Sequence, residues 1–192
     1  SPGDYATFKF PPTPRHDLRH ILRALFRGGP RPSARQPERE TARMRRRAEY
    51  RARAVGLAER ARDSPRHAVL RGRCFVIDGD TIVIRDVRIR IAGIDAPEIE
   101  HPWGRKAKWA LINMCKGQVL TVHLHGEVSY ARVVATCYLP DGRDVAAELV
   151  SQGLALDWAR HSGGRYRHLE PTDARRKLWR ADARQKGRMP LK

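Results

Sequence analysis

Cysteine, aromatic side chains and acid are all scarce in this 192-residue sequence. Its three cysteines, Cys74, Cys115 and Cys137, are widely and irregularly spaced, which argues against a disulfide scaffold or a structural zinc site and leaves open only a bridge between Cys74 and Cys137. No run of about 18 apolar residues occurs, so no helix spans a membrane. No signal-peptide pattern of charged start, apolar run and small-residue cleavage site is visible. Aromatic residues make up 7%, so few rings are available to stack on a ligand. A 41% apolar content still suffices for one folded domain of roughly 100–150 residues.

Base, by contrast, is abundant. Lys and Arg number 39 against 21 Asp and Glu, a net charge of +18, which points to polyanionic partners, nucleic acid before anionic membrane or acidic protein. The excess is unevenly made. Residues 1–67 hold 17 basic and 7 acidic side chains, and 16 of the 17 are Arg; residues 68–192 hold 22 and 14. The first part reads as a basic, partly helical N-terminal arm and the second as the folded domain.

Within the arm, Leu18, Ile21, Leu22, Leu25 and Phe26 form one stripe on a helix over 16–27, ended by Gly28-Gly29-Pro30. A second helical stretch covers roughly 38–62. Arg recurs every fourth residue from Arg15 to Arg51, but Pro30, Pro32 and Pro37 prevent one continuous Arg-faced helix. Two readings stand: an arm that contacts phosphates, or a solvated linker with a helix docked on the domain. Contact with an anionic membrane or an acidic partner is compatible with both.

Beyond residue 68, β-branched runs at 69–77, 81–85 and 87–94 are separated by Asp78-Gly79 and Arg85-Asp86, and Asp-Gly between such runs signals a hairpin. A helix over 104–115 ends at Gly117. Strands follow at 118–125 and 131–139, with a turn around 126–129, and then helices near 144–152 and 171–186. Tight hairpins without β-α-β alternation favour a small closed barrel with packed helices, an α+β and mainly β fold.

Three carboxylates carry the chemical signal. Asp80 opens a strand after the tight turn, while Asp95 closes a later one against Pro97. Brought together, they make an oxygen-rich pocket suited to a hard cation, Ca²⁺ or alternatively Mg²⁺. Glu98 lies one turn beyond and could hold a water. Asp78 reads as a turn residue, and the plain alternative for the whole motif is a hairpin turn. Arg90 alternates with Ile89 and Ile91, and Arg132 opens another strand. Phosphodiester hydrolysis uses such a set: a metal, a base for water and Arg forks for the phosphoryl oxygens.

These residues resemble the staphylococcal nuclease-like, or thermonuclease, domain. The likeness rests on Asp78-Gly79-Asp80-Thr81, Arg90, Ile94-Asp95-Ala96-Pro97-Glu98, Gly104 with Ala107, Tyr130-Ala131-Arg132, and Leu149-Val150-Ser151-Gln152-Gly153-Leu154-Ala155, in order over about 69–187. It implies a five-stranded OB-type barrel with three helices. It also implies a Ca²⁺-dependent, sequence-nonspecific nuclease that cleaves DNA and RNA to 3′-phosphate and 5′-hydroxyl products, with single strands preferred. By resemblance, Asp80, Asp95 and the Ala96 carbonyl hold the metal, Glu98 activates or orients water, Arg90 and Arg132 clamp the scissile phosphate, and Tyr130 binds a neighbouring one. The family includes secreted and periplasmic proteins. The other class weighed is a barrel that binds nucleic acid without cutting it; retention of Asp80, Asp95, Glu98, Arg90 and Arg132 favours the enzyme.

The sequence departs from the family pattern at several points. Ala131 replaces the usual glycine, Val128-Ser129 replaces the expected acid, and the base-stacking tyrosines after Ala155 are not evident. Trp158 and Tyr166 are the candidates for that work, with core packing the equal alternative for Trp158. The pair His123 and His125 shares a strand face without a third metal ligand. The basic side chains of 171–186 read as a wet helix face.

Overall fold

Residues 35–64 and 68–189 are described by the computed structural model. Helix α1 (Arg35–Asp63) precedes β1 (Val69–Gly72), β2 (Phe75–Val76), β3 (Thr81–Ile84), β4 (Val87–Ile91) and β5 (Ile94–Asp95). Then come α2 (Gly104–Cys115), β6 (Leu120–Ser129), β7 (Arg132–Tyr138), α3 (Val145–Ser151) and β8 (Leu156–Asp157). The chain ends in α4 (Ala159–Ser162), a 3₁₀ turn at Arg167–Leu169, α5 (Ala174–Lys177) and α6 (Trp179–Gln185). The expected helix over 16–27 lies outside the described residues. A compact unit runs from Ala42 to Lys192, so it starts upstream of the expected boundary near residue 67.

The fold is α+β of OB type, but its sheet differs from the five-stranded expectation. Six strands pair in the order β1-β6-β7-β4-β3-β2, and β5 pairs with β8 in a separate two-stranded ribbon. Among the described residues there are six α-helices: α1 is the stretch expected over 38–62, and the domain that follows has five helices where three were expected, because α4 is added and the last basic segment breaks at Leu178 into α5 and α6. Hydrogen bonding does not join β1 to β2, so the ladder does not close around the sheet.

Local chemistry explains the strand connections. Arg85 and Asp86 both adopt positive φ, 48° and 63°, giving the primed hairpin geometry that matches strand twist. The turn expected at 126–129 lies one step later: β6 runs on to Ser129, which pairs with Arg132, and Tyr130 takes φ 59°. A bulge between Leu124 and Val128, with Gly126 at φ 74°, absorbs the extra residues.

Ile82, Ile84, Ile89, Ile91, Leu120, Val122 and Val133 fill the core at essentially zero exposure. Each such burial contributes about 1.5–3 kcal/mol. Along β4, Val87, Ile89 and Ile91 point inward, so Arg88 and Arg90 take the opposite face as their parity requires. Among the described side chains of helix α1 the buried ones are Ala54, Ala58 and Ala61, with Ala54 joining the barrel core and Leu57 packing partly against it. Small side chains let it approach closely: a Cβ on Gly126 would stand 3.3 Å from the Ala58 carbonyl oxygen. A second, smaller cluster of Leu156, Ala174, Leu178 and Ala181 holds α5 and α6 to β8. All three cysteines are free.

Candidate active site

Two glycines bring the carboxylates together. A Cβ on Gly79 would lie 2.7 Å from the Ala96 methyl and 2.9 Å from that of Ala107, so only glycine lets the β2–β3 turn rest on the end of β5. A Cβ on Gly104 would lie 1.7 Å from the Glu98 carbonyl oxygen, so the start of α2 is pressed against the segment that carries Glu98. Thus Asp80, Asp95 and Glu98, each at most 8% exposed, converge on one cleft of about 400 Å³.

The first ion cluster is built on strands. Thr81 pairs with Arg90 across β3 and β4, and β4 runs parallel to β7, whose first residue is Arg132. Arg90 Nη1 donates to Asp80 Oδ2 at 2.5 Å and its Nη2 to the Ile94 carbonyl at 3.0 Å. Arg132 Nη1 donates to Thr81 Oγ1 at 2.9 Å and lies 3.6 Å from Asp80 Oδ1, which also accepts from Thr81 Oγ1. Burial alone would raise the Asp80 pKa; the charges of Arg90 and Arg132 outweigh it and hold that carboxyl below its ordinary value. Asp78 accepts the Asp80 amide, as a turn residue should.

The second cluster contains a residue that the sequence reading assigned to solvent. Arg184 of α6 donates through Nη2 and Nε to the two Asp95 oxygens, at 2.5 and 3.2 Å. Its Nη1 reaches Glu98 Oε1 at 2.9 Å, and its Nη2 also meets the Ala96 carbonyl at 3.3 Å. Despite that partner, burial pushes the Asp95 carboxyl upward. Arg175 fixes α6 from behind, forking to Glu170 and Asp182 and donating to the Asp157 carbonyl. A signal for Arg184 existed: it continues the buried stripe of Leu178 and Ala181 at a spacing of three.

Other expected residues separate into two groups. Tyr130 and Trp158 line the cleft, with the Arg90 guanidinium 5.7 Å from the Trp158 ring centre. Tyr166 does not reach it: the ring is buried at 4% exposure and its hydroxyl donates to Asp144 at 2.8 Å, so it packs the core and has no free face for a base. His125 meets Thr136 at 2.8 Å while His123 packs edge-on against Tyr138, so the two do not form a metal pair.

Among the described residues no group of three or more His, Cys, Asp and Glu side chains is placed to hold a metal. The donors Asp80, Asp95 and the Ala96 carbonyl are hard oxygens of the kind Ca²⁺ takes. Arg184 already occupies both Asp95 oxygens and that carbonyl. A divalent cation would have to displace the guanidinium from these acceptors.

An OB-type sheet thus carries one cleft in which three carboxylates meet Arg90, Arg132 and Arg184. Residues 88–187 match the family model described as staphylococcal nuclease homologue, and the chain belongs to that family. The match includes Arg90, Asp95, Glu98, Arg132 and Arg184 but neither Asp80 nor α1. Over 77 residues the chain is 39% identical to a probable staphylococcal-like nuclease of Oryza sativa subsp. japonica, covering 40% of this chain and 23% of that protein. It is 37% identical over 84 residues to an uncharacterized endonuclease of Escherichia coli, covering 42% and 55%. With Protein ParB of Escherichia coli it shares 35% over 125 residues, 58% of this chain and 70% of that protein. The chain thus spans under a quarter of the rice protein and about half of the endonuclease.

Proposed function

We propose that this chain is a sequence-nonspecific nuclease that hydrolyses DNA and RNA, preferring single strands, to 3′-phosphate and 5′-hydroxyl products. The observation that supports this most is the convergence of Glu98, Arg90 and Arg132 on one cleft. In this reading the Arg90 and Arg132 forks take the non-bridging oxygens of the scissile phosphate and neutralise the charge that grows as water attacks. Glu98 orients that water or accepts its proton, and the 5′-oxygen leaves in line. Tyr130 and Trp158 hold the flanking nucleotides.

Calcium dependence belongs to the same proposal. With Arg184 withdrawn, Asp80, Asp95 and the Ala96 carbonyl would hold Ca²⁺, which would supply Lewis-acid polarisation of the phosphate. One observation favours a second reading, a domain that binds nucleic acid without cutting it: Arg184 engages Glu98 directly and ties up the base. Cleavage of labelled single-stranded DNA and RNA, with Ca²⁺ or with chelator, separates the readings. We expect cutting that chelation abolishes and that falls at least about 10²-fold in Glu98→Gln and in Arg132→Ala. Equal cutting by Glu98→Gln would remove the assigned mechanism. Tight binding without any cutting by the native protein would establish the second reading.

A further inference from the structure

The regular arginine spacing of the arm is not used by the cleft, yet part of it lies beside the cleft. Arg43, Arg47 and Arg51 follow one another at i, i+4 on α1 and are all exposed. They therefore form a ridge on one helix face, about 12 Å from first to last. Like charges at this spacing repel, so the ridge is unfavourable in the free protein. Among the described residues none of the three forms an ion pair, whereas Arg53 on another face reaches Asp86 at 3.8 Å.

Where this ridge meets the sheet there is a groove of about 300 Å³, lined by Arg47, Arg51, Val55, Val128, Tyr130 and Ala131. Tyr130 lines both this groove and the catalytic cleft, and its ring is 60% exposed. The two depressions are thus neighbours that share Tyr130 and Val128 in their walls. Helix α1 is held in place by Ala54 and Ala58 in the core and by the Arg88 guanidinium stacked 4.4 Å from the Tyr50 ring centre.

We propose that Arg43, Arg47 and Arg51 form a phosphate track that extends the cleft along α1 and takes the nucleotides of a single strand that lie beyond Tyr130. Successive arginines are about 6 Å apart along the axis, comparable with the phosphate spacing of an extended single strand. The apolar floor of Val55, Val128 and Ala131 suits a sugar or base edge, while the guanidiniums supply charge without base readout. A bound polyanion also removes the repulsion within the ridge. The inference rests on the nucleic-acid reading of the cleft but not on cleavage, and it concerns a segment outside the family match.

The test uses the full chain carrying Glu98→Gln, with and without R43Q, R47Q and R51Q together, and fluorescein-labelled dT3 and dT12 as probes. Anisotropy titrations over a salt series give affinity and slope, and circular dichroism checks that both proteins are folded alike. The triple substitution should weaken dT12 binding by about 10–100-fold and flatten its salt slope by about 2, from three lost contacts at roughly 0.7 each. Binding of dT3 should change less than about threefold. With Glu98 native in both proteins, cleavage of dT3 by the chain with and without the three arginine substitutions should also agree within that factor. Equal losses for dT3 and dT12, or no loss for dT12, would overturn the track. So would poly-glutamate competing as well as dT12 at matched charge, since the ridge would then serve acidic protein. If the native chain fails to cut but the dT12-specific loss persists, the track stands and the nuclease reading falls.

Discussion

The two ion clusters of the cleft use the same chemistry on different foundations. Asp80 is held by Arg90 and Arg132, which stand on β4 and β7 in a fixed ladder register. Asp95 and Glu98 are held by Arg184, 89 and 86 positions away on a seven-residue helix that packs through a small cluster of its own. The first cluster is as rigid as the sheet, whereas the second lasts only while α6 stays docked. Their carboxyls also move in opposite directions, Asp80 down and Asp95 up. Pairing outweighs burial at Asp80, whereas burial outweighs pairing at Asp95.

Removing the arginines should expose that asymmetry most strongly. Arg90→Ala leaves Asp80 buried with one remaining guanidinium and should cost about 3–5 kcal/mol in denaturant unfolding at pH 7. Arg184→Gln should cost less, about 2 kcal/mol, because a glutamine amide can still donate a hydrogen bond to the Asp95 carboxylate. Equal losses would show that the clusters are equivalent. Calorimetric titration of Ca²⁺ sharpens the same point: Arg184→Gln should bind the ion about tenfold or more tightly than the native chain if the guanidinium competes for the site. Weaker binding would make Arg184 a supporting residue instead.

A gentler perturbation is Arg175→Ala, which unties Glu170, Asp182 and the Asp157 carbonyl. Amide exchange should accelerate across 174–185 and remain unchanged in β3, β4 and β7. The smallest effect concerns pH. A carboxyl whose folded pKa is depressed stabilises at neutral pH, and that contribution disappears as pH falls through the folded value. Asp80→Asn should therefore flatten the acid limb of the stability curve. Asp95, whose folded pKa is raised, takes up its proton earlier when folded, so Asp95→Asn should steepen that limb. Unfolding free energies between pH 3 and 7 for the two variants would decide it.

The sheet-borne half of the site was legible in the sequence because its signals are local. Asp-Gly and Arg-Asp mark two hairpins, and alternation along β4 assigns Arg90 to the face away from Ile89 and Ile91. Strand count was less legible: two-residue strands such as β5 and β8 have no periodicity to detect, and the extension of β6 to Ser129 depends on a bulge. Arg184 was hidden for a different reason. Its helix carries so many cations that a single buried one has no contrast, and only the tertiary docking of Leu178 and Ala181 turns that face inward. Tyr166 illustrates the reverse error, since an aromatic near the expected rim is bound instead to Asp144 inside the core.

Trp158 has one further use. Its indole sits beside the Arg90 guanidinium and edge-on to His161, on the wall of the cleft. Any anion that draws Arg90 away changes the electric field at that ring and with it the colour of its fluorescence. In a variant with Trp103, Trp109 and Trp179 changed to Phe, the remaining emission would report occupancy of the cleft directly, before any bond is cut and without a label.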